Sequence, residues 1–144
     1  MPEALSPFHP RTVHFPIAFA LVGVAFVIMG CALNRERFSA FGQISLVVGW
    51  IGVLVAVATG LVDQAGAPDD PVVRDVINQH ITAGIGLLAA LGLAIYWPLR
   101  NKQLWDRPAS RYGYLALLGV VVLLVLLEGW LGGKLVFDFG VGVR

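Results

Sequence analysis

His9 and His14 stand five residues apart in the stretch His9-Pro10-Arg11-Thr12-Val13-His14-Phe15-Pro16, just where a long apolar run begins. Histidine is the side chain best suited to ligate a metal, hold a haem iron or move a proton near neutral pH. At the mouth of an apolar helix it costs free energy unless something binds or pairs with it. A third histidine, His80, opens another apolar run after the polar turn Arg74-Asp75-Val76-Ile77-Asn78-Gln79. Two acids occupy matching places: Asp63 closes one apolar run and Glu128 stands near the close of another. His14 precedes Asp63 by almost the same number of residues as His80 precedes Glu128, so the halves of the chain read as parallel repeats about an axis normal to a membrane.

Two histidines on different helices, level with each other, can ligate a haem iron from both sides. The leading expectation is one b-type haem held by His14 and His80. A low-dielectric site favours the neutral imidazoles that ligation needs. Small residues one turn on, Ala18 beside His14 and Ala83 and Gly84 beside His80, leave room for a porphyrin. Arg11 and Arg74 stand where they could meet its propionates. Saturated ligation leaves no open position, so such a haem passes electrons. Without a Cys-x-x-Cys-His motif it is held non-covalently. Asp63 and Glu128 would then accept hydrogen bonds from the imidazoles and orient them. A second arrangement groups His9, His14 and His80 with one of the acids as a copper or zinc site, although His9, outside the apolar run, reads better as a cap or loop anchor. In a third, the histidines only cap and anchor, and the chain is a structural or assembly subunit of a membrane complex. No phosphate-binding loop, cysteine pair or Ser-His-Asp constellation is legible, so an electron-transfer or structural subunit is expected rather than a stand-alone enzyme.

These residues need elements that bring them to one depth. The chain has 144 residues, 58% hydrophobic and only 13% charged, with a net charge of +1 and a mean hydropathy of +0.80. That charged fraction is about half of what a water-facing surface needs, and no basic patch dense enough for nucleic acid exists. Four apolar segments, 12–33, 42–63, 76–99 and 112–133, each approach the roughly 20 residues that cross a bilayer. The first keeps an acid, Glu3, and a single Arg before it and is long enough to span, so it reads as a retained helix rather than a signal peptide. Arg35, Arg37, Arg100, Lys102, Arg107 and Arg111 fall in the first and third connections, against Arg74 alone in the second. By the positive-inside rule the former are cytoplasmic, and the second connection and both termini lie outside. Trp97, Trp105, Tyr112 and Tyr114 form an aromatic belt at the cytoplasmic ends. All ionisable residues of the helices then fall toward the outer leaflet.

Short connections allow only antiparallel neighbours, and small residues such as Gly49, Gly52, Gly60, Gly84, Gly86, Gly113 and Gly119 allow close helix approach. The expected fold is therefore all-α: one transmembrane domain over 1–144, an up-down-up-down four-helix bundle with a glycine-rich tail from Gly132 capping its outer mouth.

The opening His9-Pro10-Arg11-Thr12-Val13-His14-Phe15-Pro16-Ile17 resembles the signature of a bacterial membrane family catalogued as a domain of unknown function. The resemblance extends along the chain through Gly60-Leu61-Val62-Asp63, the histidine heading the third helix, and the closing Gly132-Gly133-Lys134-Leu135-Val136 with Gly140-Val141-Gly142-Val143. It implies a multi-pass protein of the bacterial plasma membrane. Members of that family occur beside Rieske iron–sulfur or c-type cytochrome domains, which implies a redox partner or a respiratory complex besides membrane lipid.

Overall fold

The computed structural model describes residues 9–142, and every regular element among them is helical. A single turn, α1 (His9–Thr12), leads into α2 (His14–Leu33). Then follow α3 (Glu36–Asp63), a 3-10 turn at Gln64–Gly66, α4 (Pro71–Arg100) and α5 (Pro108–Phe137). The helices α2 to α5 are long and apolar enough to cross a membrane.

Three of them start earlier than their apolar runs, because caps rather than hydropathy set helix ends. Asp70 takes an extended conformation, and its Oδ1 accepts from the backbone N–H groups of Val72 and Val73 at 2.7 and 3.4 Å. Pro71 follows as the first residue of α4, where a missing N–H does no harm. Pro108 opens α5 in the same way. Between α2 and α3, Asn34 adopts the left-handed conformation (φ 51°) that lets the chain reverse within two residues.

The helices run antiparallel in two hairpins. In the first, α2 and α3 meet along a seam without side-chain bulk. A Cβ on Gly23 would lie 2.8 Å from Leu46, one on Gly42 2.7 Å from Val27, and one on Gly30 would run into Ser39. Packing of this closeness drives helix association where lipid is as apolar as leucine. In the second hairpin, α4 contains Pro98, whose missing N–H leaves the Ala94 carbonyl without its helical partner. Tyr114 of α5, fully buried, donates its hydroxyl to that carbonyl at 2.9 Å. The same hydroxyl accepts from Gln43 Nε2 of α3 at 2.6 Å, so three helices meet there. The hairpins are also joined by Trp50, whose indole N–H donates to the Leu88 carbonyl at 3.0 Å.

Buried apolar side chains form two clusters. The larger fills the middle and basic end of the bundle, from Val53 and Leu87 to Leu104 and Tyr114. The smaller, Val73, Val76, Ile77, Ala83, Leu131 and Leu135, lies at the other end. Phe139 and Val141 fold back against it. The expected tail therefore begins later than Gly132: α5 continues through Gly132 and Gly133 to Phe137. The chain turns at Gly140 (φ 64°), and the Val141 N–H reaches back to the Leu135 carbonyl at 2.9 Å. Val143 and Arg144 lie outside the described residues.

Candidate functional site

A polar cluster is assembled between the two apolar ones, at the end of the bundle opposite the basic connections. Glu128 projects from α5 toward α4, where Gly84 is buried and a Cβ would stand 3.8 Å from both carboxylate oxygens. Its Oε2 lies 2.9 Å from His80 Nδ1, with the two side chains only 13% and 16% exposed. That oxygen lies off the line of the ring N–H, so the contact is a close electrostatic one rather than a formed hydrogen bond. Glu128 Oε1 is likewise buried without a hydrogen-bond partner among the described residues. His80 Nε2 lies 3.4 Å from Nε2 of His9.

His9 belongs to α1, which lies across the end of α3. Its backbone N–H donates to Asp63 Oδ2 at 3.1 Å, so Asp63 caps the turn. The ring rests against Gly60, where a Cβ would come within 3.1 Å of it. Its Nδ1 lies 2.7 Å from the carbonyl oxygen of Ala56. A carbonyl can only accept, so Nδ1 carries the proton and Nε2 presents a lone pair. Burial lowers the His9 imidazole below its usual 6.5. The nearby His80 adds to this, against the opposing pull of the Ala56 bond and of Asp63 and Glu128.

The two imidazoles meet head-on. Their ring centres are 5.7 Å apart with the planes at 80°, and the Nε2 atoms are 3.4 Å apart. The difference is about twice the distance from an imidazole centre to its own nitrogen, so both nitrogens lie close to the line between the centres. Two lone pairs cannot face each other along that line without repulsion. The approach is favourable when one of the two nitrogens carries a hydrogen and the other accepts it.

The structure thus brings together His9, His80 and Glu128, with Asp63 beside them. It does not bring His14 to His80: His14 is the first residue of α2 and is exposed. The imidazole that faces His80 is that of His9, five residues earlier. The physical reason is the separate turn α1, which carries His9 inward over Gly60 before α2 begins. Arg74 pairs with Asp69 at 2.9 Å, both largely exposed. Gly84 serves the close approach of Glu128. The side chain of Arg11 lies outside the described residues. Three histidines do not converge as a metal site, and among the described residues no group of three His, Cys, Asp or Glu side chains is placed to hold a metal ion. Of the two matching histidine–acid pairs read from the sequence, His80 and Glu128 stand together, whereas Asp63 meets the backbone N–H of His9 and not His14.

His9 is the site residue that sequence reading undervalued. Its signal was present in Gly60 and Asp63, a gap and a cap waiting at the end of α3, but hydropathy cannot reveal a one-turn helix outside the apolar run.

Neither a curated protein nor a solved structure matches the chain. A family model described as "Predicted membrane protein (DUF2231)" matches residues 5–144, nearly the whole sequence. This multi-pass helical chain belongs to the DUF2231 family of predicted membrane proteins.

Proposed function

We propose that this membrane protein takes up and gives up protons through the array Glu128–His80–His9. The head-on approach of two Nε2 atoms at 3.4 Å carries the reading. Because the Ala56 carbonyl holds the proton of His9 on Nδ1, His80 must present Nε2–H to the remaining lone pair. The other nitrogen of His80 then has two arrangements. Either it is unprotonated and faces a carboxylic acid, or it is protonated and faces a carboxylate, 2.9 Å away in both cases. The two arrangements bind the same number of protons and carry no net charge. A proton can therefore pass between Glu128 and His80, once the two side chains turn into line, without creating an uncompensated charge in a low-dielectric setting. Loss of that proton leaves one negative charge among apolar side chains, which couples the site to a proton donor or acceptor.

Nitrogen-15 NMR of the histidine-labelled protein in detergent tests this. His9 should show a protonated Nδ1, and the two Nε2 signals should be coupled through the intervening hydrogen. Glu128→Gln should shift both nitrogens of His80. Two rings that titrate independently, without coupling, overturn the proposal.

A haem between His14 and His80 is a distinct proposal. It requires His14 to turn inward and His80 to leave His9. Reduced-minus-oxidised absorption spectra separate the two readings. Low-spin haem bands that disappear in both His14→Ala and His80→Ala put electron transfer in place of proton exchange.

A further inference from the structure

We infer that the array exchanges its proton with one membrane face only, through a polar pocket at its own end of the bundle, and is blind toward the other face. This rests on the proton reading above. The pocket, about 330 Å³, is lined by Gln64, Ala65, Ala67, Arg74, Ile77 and Asn78. Gln64 directly follows Asp63, the residue that caps the His9 turn, and Ile77 stands one helical turn before His80. Arg74 of the pocket wall pairs with Asp69, and the charged and titratable groups of the array itself come from every neighbouring element: His9 from α1, Asp63 from α3, His80 from α4 and Glu128 from α5. Amide and guanidinium groups of this kind hold water, which can hand a proton to the imidazoles.

In the opposite direction the path ends. Below Glu128 the interior is closed by Val53, Leu87, Leu91, Leu118, Val121 and Val125, all at most 5% exposed. From Glu128 to Tyr114 along α5 is about 20 Å at about 1.5 Å per residue. The Trp50 indole nitrogen, which reaches from α3 to α4, already donates to the Leu88 carbonyl. An indole N–H cannot accept a proton, so it cannot relay one. Carrying a bare charge through such a layer costs far more than thermal energy.

The full chain, reconstituted in one orientation in liposomes, provides the test, with the carboxyl stretch of Glu128 followed by infrared spectroscopy after a pH jump on one side. The expected result is a response to a jump on the histidine-end face, none to a jump on the basic-end face, and loss of the signal in Glu128→Gln. A pH gradient across these liposomes should decay no faster than across empty ones. Ala67→Trp, which fills the pocket without touching the array, should slow the response while leaving the histidine coupling intact. A response from the basic-end face, or a leak abolished by Glu128→Gln, overturns one-sided access while leaving the array standing. Absence of any response from either face, with no coupling between the imidazoles, overturns the array itself.

Discussion

Gly60 matters for what it lacks. Any side chain there would press on the ring of His9, which stands 3.1 Å from the nearest position a Cβ could take. Gly60→Val should push His9 out and uncouple the imidazoles while leaving the helices intact, a separation visible by comparing histidine NMR with circular dichroism. Glu128→Leu leaves the buried His80 Nδ1 facing hydrocarbon and should cost about 1–3 kcal/mol, measured by unfolding in mixed detergent. The acid dependence follows from His9. Its folded-state pKa is depressed by burial from 6.5, so the unfolded chain binds the proton more readily. The stability gained by keeping His9 neutral is complete above that value and declines as pH falls below it. A melting temperature that drops on acidification below about pH 6.5 in the parent, and drops less in His9→Gln, is the expected outcome. At this scale the sequence was partly legible. His80, Asp63 and Glu128 stood out because ionisable groups in apolar helices demand partners. The choice between His9 and His14 did not, because it depends on which face the first turn presents.

At the scale of elements, spans were easier to read than their ends. Hydropathy located all four helices but placed the start of α4 at 76 instead of 71, because the Asp70 cap and Pro71 act through the backbone rather than through apolarity. Nor could periodicity reveal that Tyr114, which read as an interfacial anchor, is buried against the carbonyl that Pro98 abandons. Tyr114→Phe removes that bond and strands Gln43, an expected loss of about 1–3 kcal/mol. Pro98→Ala restores a backbone donor for Ala94, so the double variant should lose less than Tyr114→Phe alone, and a double-mutant cycle in detergent measures the difference. Along the α2–α3 seam, Gly23→Leu drives a side chain into Leu46 and should cost about 1–3 kcal/mol or separate the helices.

For the whole molecule, composition alone established a membrane protein, and four spans with short connections left little choice of topology. The concentration of basic residues at one end and of the histidine–acid array at the other makes orientation testable. Reporter fusions within residues 101–107 should score as cytoplasmic and fusions within 67–70 as outside, by the positive-inside rule. The reverse result would place the array on the cytoplasmic side without altering its chemistry.

The array draws on both hairpins: His9 precedes the first, whereas His80 and Glu128 belong entirely to the second. During synthesis His9 leaves the ribosome first, and two spanning helices follow it before His80 arrives at the head of α4, with Glu128 later still in α5. Helices that insert singly and associate afterwards would leave His9 with the first hairpin and His80 and Glu128 with the second. The coupled imidazoles therefore mark completed assembly. Two fragments divided within residues 67–70 and produced together should recover that coupling only once the hairpins have found each other.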